Sequence, residues 1–193
     1  MEKLKYEIPT LERKQDAIDY VNEFYKYNSE INGVGGLDRY INNYEEWLLK
    51  LDEDYKRIAS EEKVPARTYF LVRESDNKII GMINIRLTLN EKLKKSGGHI
   101  GYSIRPTERR KGYNKINLYL GLLECQKYGI KEAMLTCDKI NLGSSKTMQA
   151  LGGKLIEEFY EDNILEQKYI INIDESIEKY REEYEKYINS KVR

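Results

Sequence analysis

The chain holds one histidine, two cysteines and three prolines in 193 residues, and its 33 basic and 33 acidic side chains cancel. Each shortage excludes something. One histidine cannot build a multi-histidine zinc site such as His-Glu-x-x-His. Cys125 and Cys137 stand twelve residues apart, which fits neither a redox Cys-x-x-Cys pair nor a zinc pattern, so no metal is expected. With 3 prolines and 13 glycines, collagen-like and low-complexity chains are out. Without a positive excess, attraction to nucleic acid or anionic membrane by bulk charge is excluded, so neither partner is expected. No apolar run approaches the roughly 18 residues that cross a bilayer. The start, Met1-Glu2-Lys3-Leu4-Lys5, lacks the apolar stretch of a secretory leader. The expectation is a soluble, cytoplasmic protein.

What is present points to a packed fold. The length suits one domain spanning residues 1–193, and the 17 tyrosines, 3 phenylalanines and single tryptophan offer ample surface to bury. Residues 6–8 read as a short strand. Over residues 10–27, Leu11, Ala17, Ile18, Val21, Phe24 and Tyr25 recur at three and four, which predicts an amphipathic helix. A glycine-rich break at 31–36 precedes a second helix over 38–60. Strands are predicted at 68–72, 79–89, 99–104, 133–137, 154–159 and 164–173, with 91–98 as a lysine-rich loop. Gly112 opens a helix that Gly129 closes, a short helix covers 144–151, and a charged helix runs from 174 to the end. In that last helix Ile177, Tyr180, Tyr184 and Tyr187 form a stripe, packed on the domain or on a second subunit, which leaves room for a homodimer. The fold class is mixed α/β: a twisted, mostly antiparallel sheet of about six or seven strands flanked by helices. N-terminal helices occupy 10–60, the core 66–173 and an extra C-terminal helix 174–193.

Familiar catalytic signatures fail one by one. Gly101-Tyr102-Ser103-Ile104-Arg105 lacks the last glycine of a nucleophile elbow. Gly33-Val34-Gly35-Gly36 follows a helix where a dinucleotide fingerprint follows a strand. No Walker A sequence occurs. What stands out is Arg105-Pro106-Thr107-Glu108-Arg109-Arg110-Lys111-Gly112-Tyr113-Asn114-Lys115, with most of its charge basic, between a strand end and a helix start. Helix-start amides have no intrahelical partner and carry partial positive charge, and a glycine lets an anion approach the backbone. Together these make a phosphate cradle; a solvated basic loop is the plainer alternative.

This stretch resembles the coenzyme-binding signature of the Gcn5-related N-acetyltransferase superfamily, Gln/Arg-x-x-Gly-x-Gly/Ala. Arg109-Arg110-Lys111-Gly112-Tyr113-Asn114 fits, with Asn114 where a small residue is usual. The resemblance covers residues 66–173. Gly97-Gly98-His99-Ile100-Gly101-Tyr102-Ser103-Ile104-Arg105-Pro106, Thr136-Cys137-Asp138 and Gly152-Gly153 are similar to a bacterial subgroup without an assigned substrate.

The resemblance implies acetyl-CoA as co-substrate and direct acetyl transfer to an amine of a small molecule or protein. Backbone amides from Arg110, Lys111, Gly112, Tyr113, Asn114 and Lys115 are expected at the pyrophosphate, behind Arg109. Main-chain groups of Tyr102 and Ile104 are expected along the pantetheine arm, the Tyr102 N–H at the thioester oxygen, and Asn141 beside the arm. Many relatives place a tyrosine acid seven residues after Asn141, where this chain has Met148. The acid is therefore open among solvent, Tyr113 and other tyrosines. His99 is the leading base by its ordinary pKa, with a structural histidine or acids from the N-terminal helices as alternatives. Asn84 and Arg86, alternating with Ile83 and Ile85, are expected to face the acceptor pocket, as are Gly35 and Gly36 in the helix connection. A catalytically silent acyl-CoA-binding module is the competing function, and Met148 keeps it in play.

Overall fold

The structure, a computed structural model, describes residues 2–188. The chain runs β1 (Leu4–Glu7), α1 (Lys14–Lys26), α2 (Tyr44–Lys56), β2 (Ala66–Arg73), β3 (Lys78–Arg86), α3 (Glu91–Lys95), β4 (Ile100–Ile104), α4 (Tyr113–Lys127), β5 (Glu132–Asp138), α5 (Leu142–Ala150), β6 (Lys154–Glu161), β7 (Ile164–Asn172) and α6 (Ile173–Tyr184). The strands form two antiparallel sheets, ordered β1-β2-β3-β4 and β5-β7-β6.

Apolar periodicity sets the layers. Helix α1 buries Ala17, Tyr20, Val21 and Phe24, and α2 buries Tyr44 and Trp47. Both pack on Phe70, Val72, Ile79 and Met82, one face of the first sheet. The opposite face carries Leu71, Ile83 and Ile85 against α4, which is apolar on nearly every side and accordingly enclosed. Ile177 and Tyr184 of α6 join that second core.

Strands β4 and β5 end their respective sheets, and this arrangement makes the site. They meet at one place only among the described residues. Gly98 bridges Leu135, the His99 N–H donates to Met134 O at 2.7 Å, and the Gly97 N–H donates to Thr136 Oγ1 at 3.0 Å. Gly98 has φ +60°, and a Cβ there would lie 2.1 Å from Met134 O, so only glycine permits the junction. Past it no ladder joins residues 100–104 to β5.

Several expectations shift. Helix α2 begins at Tyr44 because Gly36 is left-handed and Leu37–Arg39 forms a separate 3-10 turn. The lysine-rich loop contains α3, capped by the Asn90 side chain. Helix α5 starts at Leu142 with Asn141 as its cap, and Ser144 lies inside its first turn. The tyrosine stripe packs inward: the Tyr184 and Tyr119 rings lie 5.3 Å apart, and Tyr180 leans on Tyr184. It is used within this chain and gives no ground for a second subunit. The final part of the expected last helix, residues 189–193, lies outside the described residues.

Candidate active site

A groove of about 1150 Å³ opens between β4 and β5 and extends to the start of α4. Its β4 wall is main chain, and the sheet register says which groups face it. Arg105 N donates to Ile80 O and Arg86 N to His99 O, so pairs 80/105 and 86/99 lie in the hydrogen-bonded phase of the β3–β4 ladder. Antiparallel pairs alternate. Ile100, Tyr102 and Ile104 therefore turn their N–H and C=O away from β3, into the groove. The Ile104 carbonyl accepts from Arg109 Nε at 3.1 Å.

At the far end the chain turns sharply into α4. Gly112, with φ +83°, sits at the cap in the left-handed region, and Arg110 also has positive φ, at +61°. No side chain caps this helix, so its first amides, at Tyr113, Asn114 and Lys115, are open to an anion. The surrounding charges sort into two kinds. Arg105 is buried against Glu23 at 2.9 Å, and the Glu23 carboxylate also accepts from the Thr107 N–H and hydroxyl. Arg109 Nη2 donates to Ser29 Oγ at 2.8 Å. Lys111 pairs with buried Glu108, which also holds Arg73 and Lys78. Burial raises the Glu108 pKa, but those three cations outweigh it and hold the carboxyl down at about 2. Arg110, Lys115 and Lys146 remain. They line the groove and make no ion pair among the described residues. Asn114 Nδ2 donates to Thr147 Oγ1 of α5, while its Oδ1 is buried without a partner.

Other residues singled out from the sequence lie elsewhere. His99 does not line the groove; its Nδ1 accepts from the Met134 N–H at 3.1 Å. Burial, and secondarily the nearby Arg86, push its pKa down to about 4. Asn84 donates to Thr68 Oγ1 on β2 and is also off the groove. Gly35 faces Thr68 and Leu51 and offers its carbonyl to Trp47, while Gly36 precedes a 3-10 turn; neither lines the groove. From the same connection, Asn32 and Gly33 do, because Gly33 lies directly on Gly101 of β4. Arg86 is partly buried in the groove wall. Asn141 lines the groove while its Oδ1 caps α5, and Met148 is fully buried in the core.

The sequence reading missed Ser144, Cys137, Lys146 and Glu166, all lining the groove. The Tyr102 hydroxyl reaches Ser144 Oγ at 2.8 Å, tying β4 to α5. The Cys137 thiol stands beside them, its pKa raised to about 11 by burial. A signal was available, since residues three and four apart on a helix share a face: Lys146 and Thr147 follow Gly143 at that spacing. Nothing local marked Glu166, which arrives through strand pairing with Asp138.

A splayed pair of sheet ends, with bare β4 main chain along one wall and an uncapped helix start at one end, makes a groove suited to an extended ligand that is anionic at one end. A family model described as the acetyltransferase (GNAT) domain matches residues 12–154, and the chain belongs to that family. Among solved structures, it is similar to RimJ of Mycobacterium smegmatis in complex with CoA-disulfide, with 12% identity, TM-score 0.67, and coverage of 93% of this chain and 88% of that one. The ribosomal-protein-S5-alanine acetyltransferase of Vibrio fischeri shares 18% identity at TM-score 0.63, over 90% and 95% of the two chains. The microcin C7 self-immunity acetyltransferase MccE, in complex with acetyl-CoA and AMP, shares 14% identity at TM-score 0.62, over 89% and 93%. At these identities the likeness is one of fold. The sequence matches no curated protein.

Proposed function

We propose that the protein is an acetyl-CoA-dependent N-acetyltransferase that transfers acetyl directly from the thioester to a primary amine of a small molecule or protein. One observation carries this reading: the groove is polar where coenzyme A is polar, along its whole length. Open α4 amides with Arg110, Lys115 and Lys146 suit the pyrophosphate and phosphate. The groove-facing N–H and C=O of Tyr102 and the N–H of Ile104 suit the pantetheine amides, as an added strand would. The orphaned Asn114 Oδ1 suits a ligand N–H.

When bound, acetyl-CoA supplies an activated acyl carbon. The Tyr102 N–H then donates to the carbonyl oxygen as negative charge develops there. Protonation of the leaving sulfur falls to the Tyr102 hydroxyl, hydrogen-bonded to Ser144, because Met148 is sealed in the core. His99 serves as a clasp between the sheets. With Nδ1 accepting from Met134, the neutral ring carries its proton on Nε2 and has no lone pair left for an amine. Removal of the amine proton is left to a groove carboxylate; Glu108 is taken up by three cations, which leaves Glu30, Asp138 and Glu166. The two buried thiols, Cys125 and Cys137, suit a reducing cytoplasm, where we place the activity.

The test is release of free thiol from acetyl-CoA across an amine panel, alongside a thermal shift with acetyl-CoA. Turnover with any amine supports the reading. Binding without turnover favours the silent coenzyme-binding module, which the apolar Met148 position keeps as second reading. No shift with acetyl-CoA sinks both.

A further inference from the structure

The acceptor end of the groove holds two charges that the coenzyme does not explain. Arg86 reaches it from the end of β3, opposite the α4 cradle. Its Nη1 donates to Gly97 O at 3.2 Å and Gly98 O at 2.9 Å, both uncharged. Its Nε and Nη2 have no protein partner, and no carboxylate pairs with it, among the described residues. This partly buried guanidinium has no counter-ion among the described residues, and its Nε and Nη2 stay open to the groove, ready for an anion. A neutral side chain with two donors could have held two carbonyls without desolvating a charge.

Glu166 comes to the same end from β7. Its carboxylate accepts only from Ser96 Oγ, at 3.3 and 3.5 Å, and forms no ion pair among the described residues. Ser96 and Gly97 are adjacent in the chain, so the acid and the guanidinium flank one short stretch of groove wall without touching each other.

We infer that the acceptor is a small amine that also carries a carboxylate, as in a free α-amino acid, with its carboxylate on Arg86 and its amino group toward Glu166. This rests on the acetyltransferase reading and narrows its substrate class. The planar guanidinium, with Nε and Nη2 on one edge, offers the bidentate fork that a carboxylate fits. Glu166 takes the proton that the ammonium must lose. The amine nitrogen then bonds to the acyl carbon and gives up its second proton as the C–S bond breaks; the sulfur leaves as thiol with a proton from the Tyr102 hydroxyl, which the proton released by the nitrogen restores through solvent. The products are an N-acetyl amino acid and free coenzyme A. Polyamines would bring a second cation to Arg86 and are disfavoured.

The experiment is initial-rate thiol release by the full chain with free L-amino acids, the same amino acids as amides, and putrescine and spermidine. At least one free amino acid is expected to exceed its amide in kcat/KM by roughly 10- to 100-fold, the worth of a charged hydrogen-bonded pair. Arg86→Met should remove that margin, raising KM for the acid roughly 10- to 100-fold more than KM for its amide, whatever both lose together through the Gly97 and Gly98 carbonyls. Arg86→Lys, which keeps the charge but not the fork, should fall between. Equal rates for acid and amide, preference for polyamines, or equal loss on both acceptors in Arg86→Met and Arg86→Lys overturns the inference and leaves acetyl transfer standing. Acetyl-CoA binding without turnover of any carboxylate-bearing amine also overturns it. Absence of acetyl-CoA binding instead removes the acetyltransferase reading itself.

Discussion

At the scale of single residues, His99 and Tyr102 lie three apart in sequence and do opposite things. His99 holds its neutral form because its ring is shielded and its Nδ1 is engaged, with a folded pKa of about 4 against an ordinary 6.5. A group whose folded pKa is lowered this way binds fewer protons folded than unfolded between those values. Its contribution to stability is therefore full above about pH 6.5 and is lost as pH falls toward about 4. His99→Gln should flatten that part of the Tm-against-pH curve, and should leave no His99-dependent inflection missing from the rate profile above pH 6. Loss of the acid limb of the kcat profile in the variant, where the rate rises with pH, would instead make His99 a base. Tyr102 bears on the chemistry through two separate atoms. Tyr102→Phe keeps the backbone N–H and removes only the hydroxyl, so kcat should fall by roughly 100-fold or more with KM for acetyl-CoA unchanged. An acetyl thioester of a more acidic thiol should restore most of that loss, because its sulfur leaves without help. An undiminished kcat would return the acid to solvent.

At the scale of elements, the start of α4 and the β4–β5 junction carry the site, and they were unequally legible. Gly112 after a run of arginine and lysine announced a helix start with open amides, and it stands there with φ +83°. Composition alone could not say which cations were free. Glu23 and Glu108, from α1 and the preceding turn, claim Arg105 and Lys111, and only the packed fold reveals this. Replacing Arg110 and Lys115 together by alanine should raise KM for acetyl-CoA by about 10-fold, since two charge-assisted contacts go. Lys139→Ala, a surface pair with Glu158 outside the groove, should not. Periodicity found nearly every strand and helix, because burial of one face dictates it. It could not place Asn84, Gly35 or Gly36, whose faces are decided by contacts with Thr68 and Trp47 far away in sequence. Gly98 is the sharpest case. Nothing in Gly97-Gly98 distinguishes the two, yet a Cβ at Gly98 would lie 2.1 Å from Met134 O, while one at Gly97 meets nothing nearer than 3.4 Å. Gly98→Ala should cost about 2–3 kcal/mol in urea unfolding, and Gly97→Ala, strained only by its φ of +96°, about 1 kcal/mol.

At the scale of the whole molecule, two sheets joined at one narrow place show how a protein with no net charge would serve the highly anionic coenzyme we propose for it. The charge is needed only at one end of the seam, where three side chains and a helix start converge. Elsewhere main chain suffices, and main chain is neutral. The same design has a cost in solution. Unlike the exposed flank of β6, which has Lys154, Glu157, Glu158 and Glu161 along it, the open side of β4 bears isoleucine, glycine, tyrosine and serine between residues 100 and 104. An uncharged strand edge is a template on which another chain can add itself. Coenzyme A in the groove would occupy that template, so it should act as a solubility factor as well as a substrate. Light scattering of concentrated protein should then fall as coenzyme A is added, and the Arg110→Ala, Lys115→Ala double variant should need correspondingly more of it.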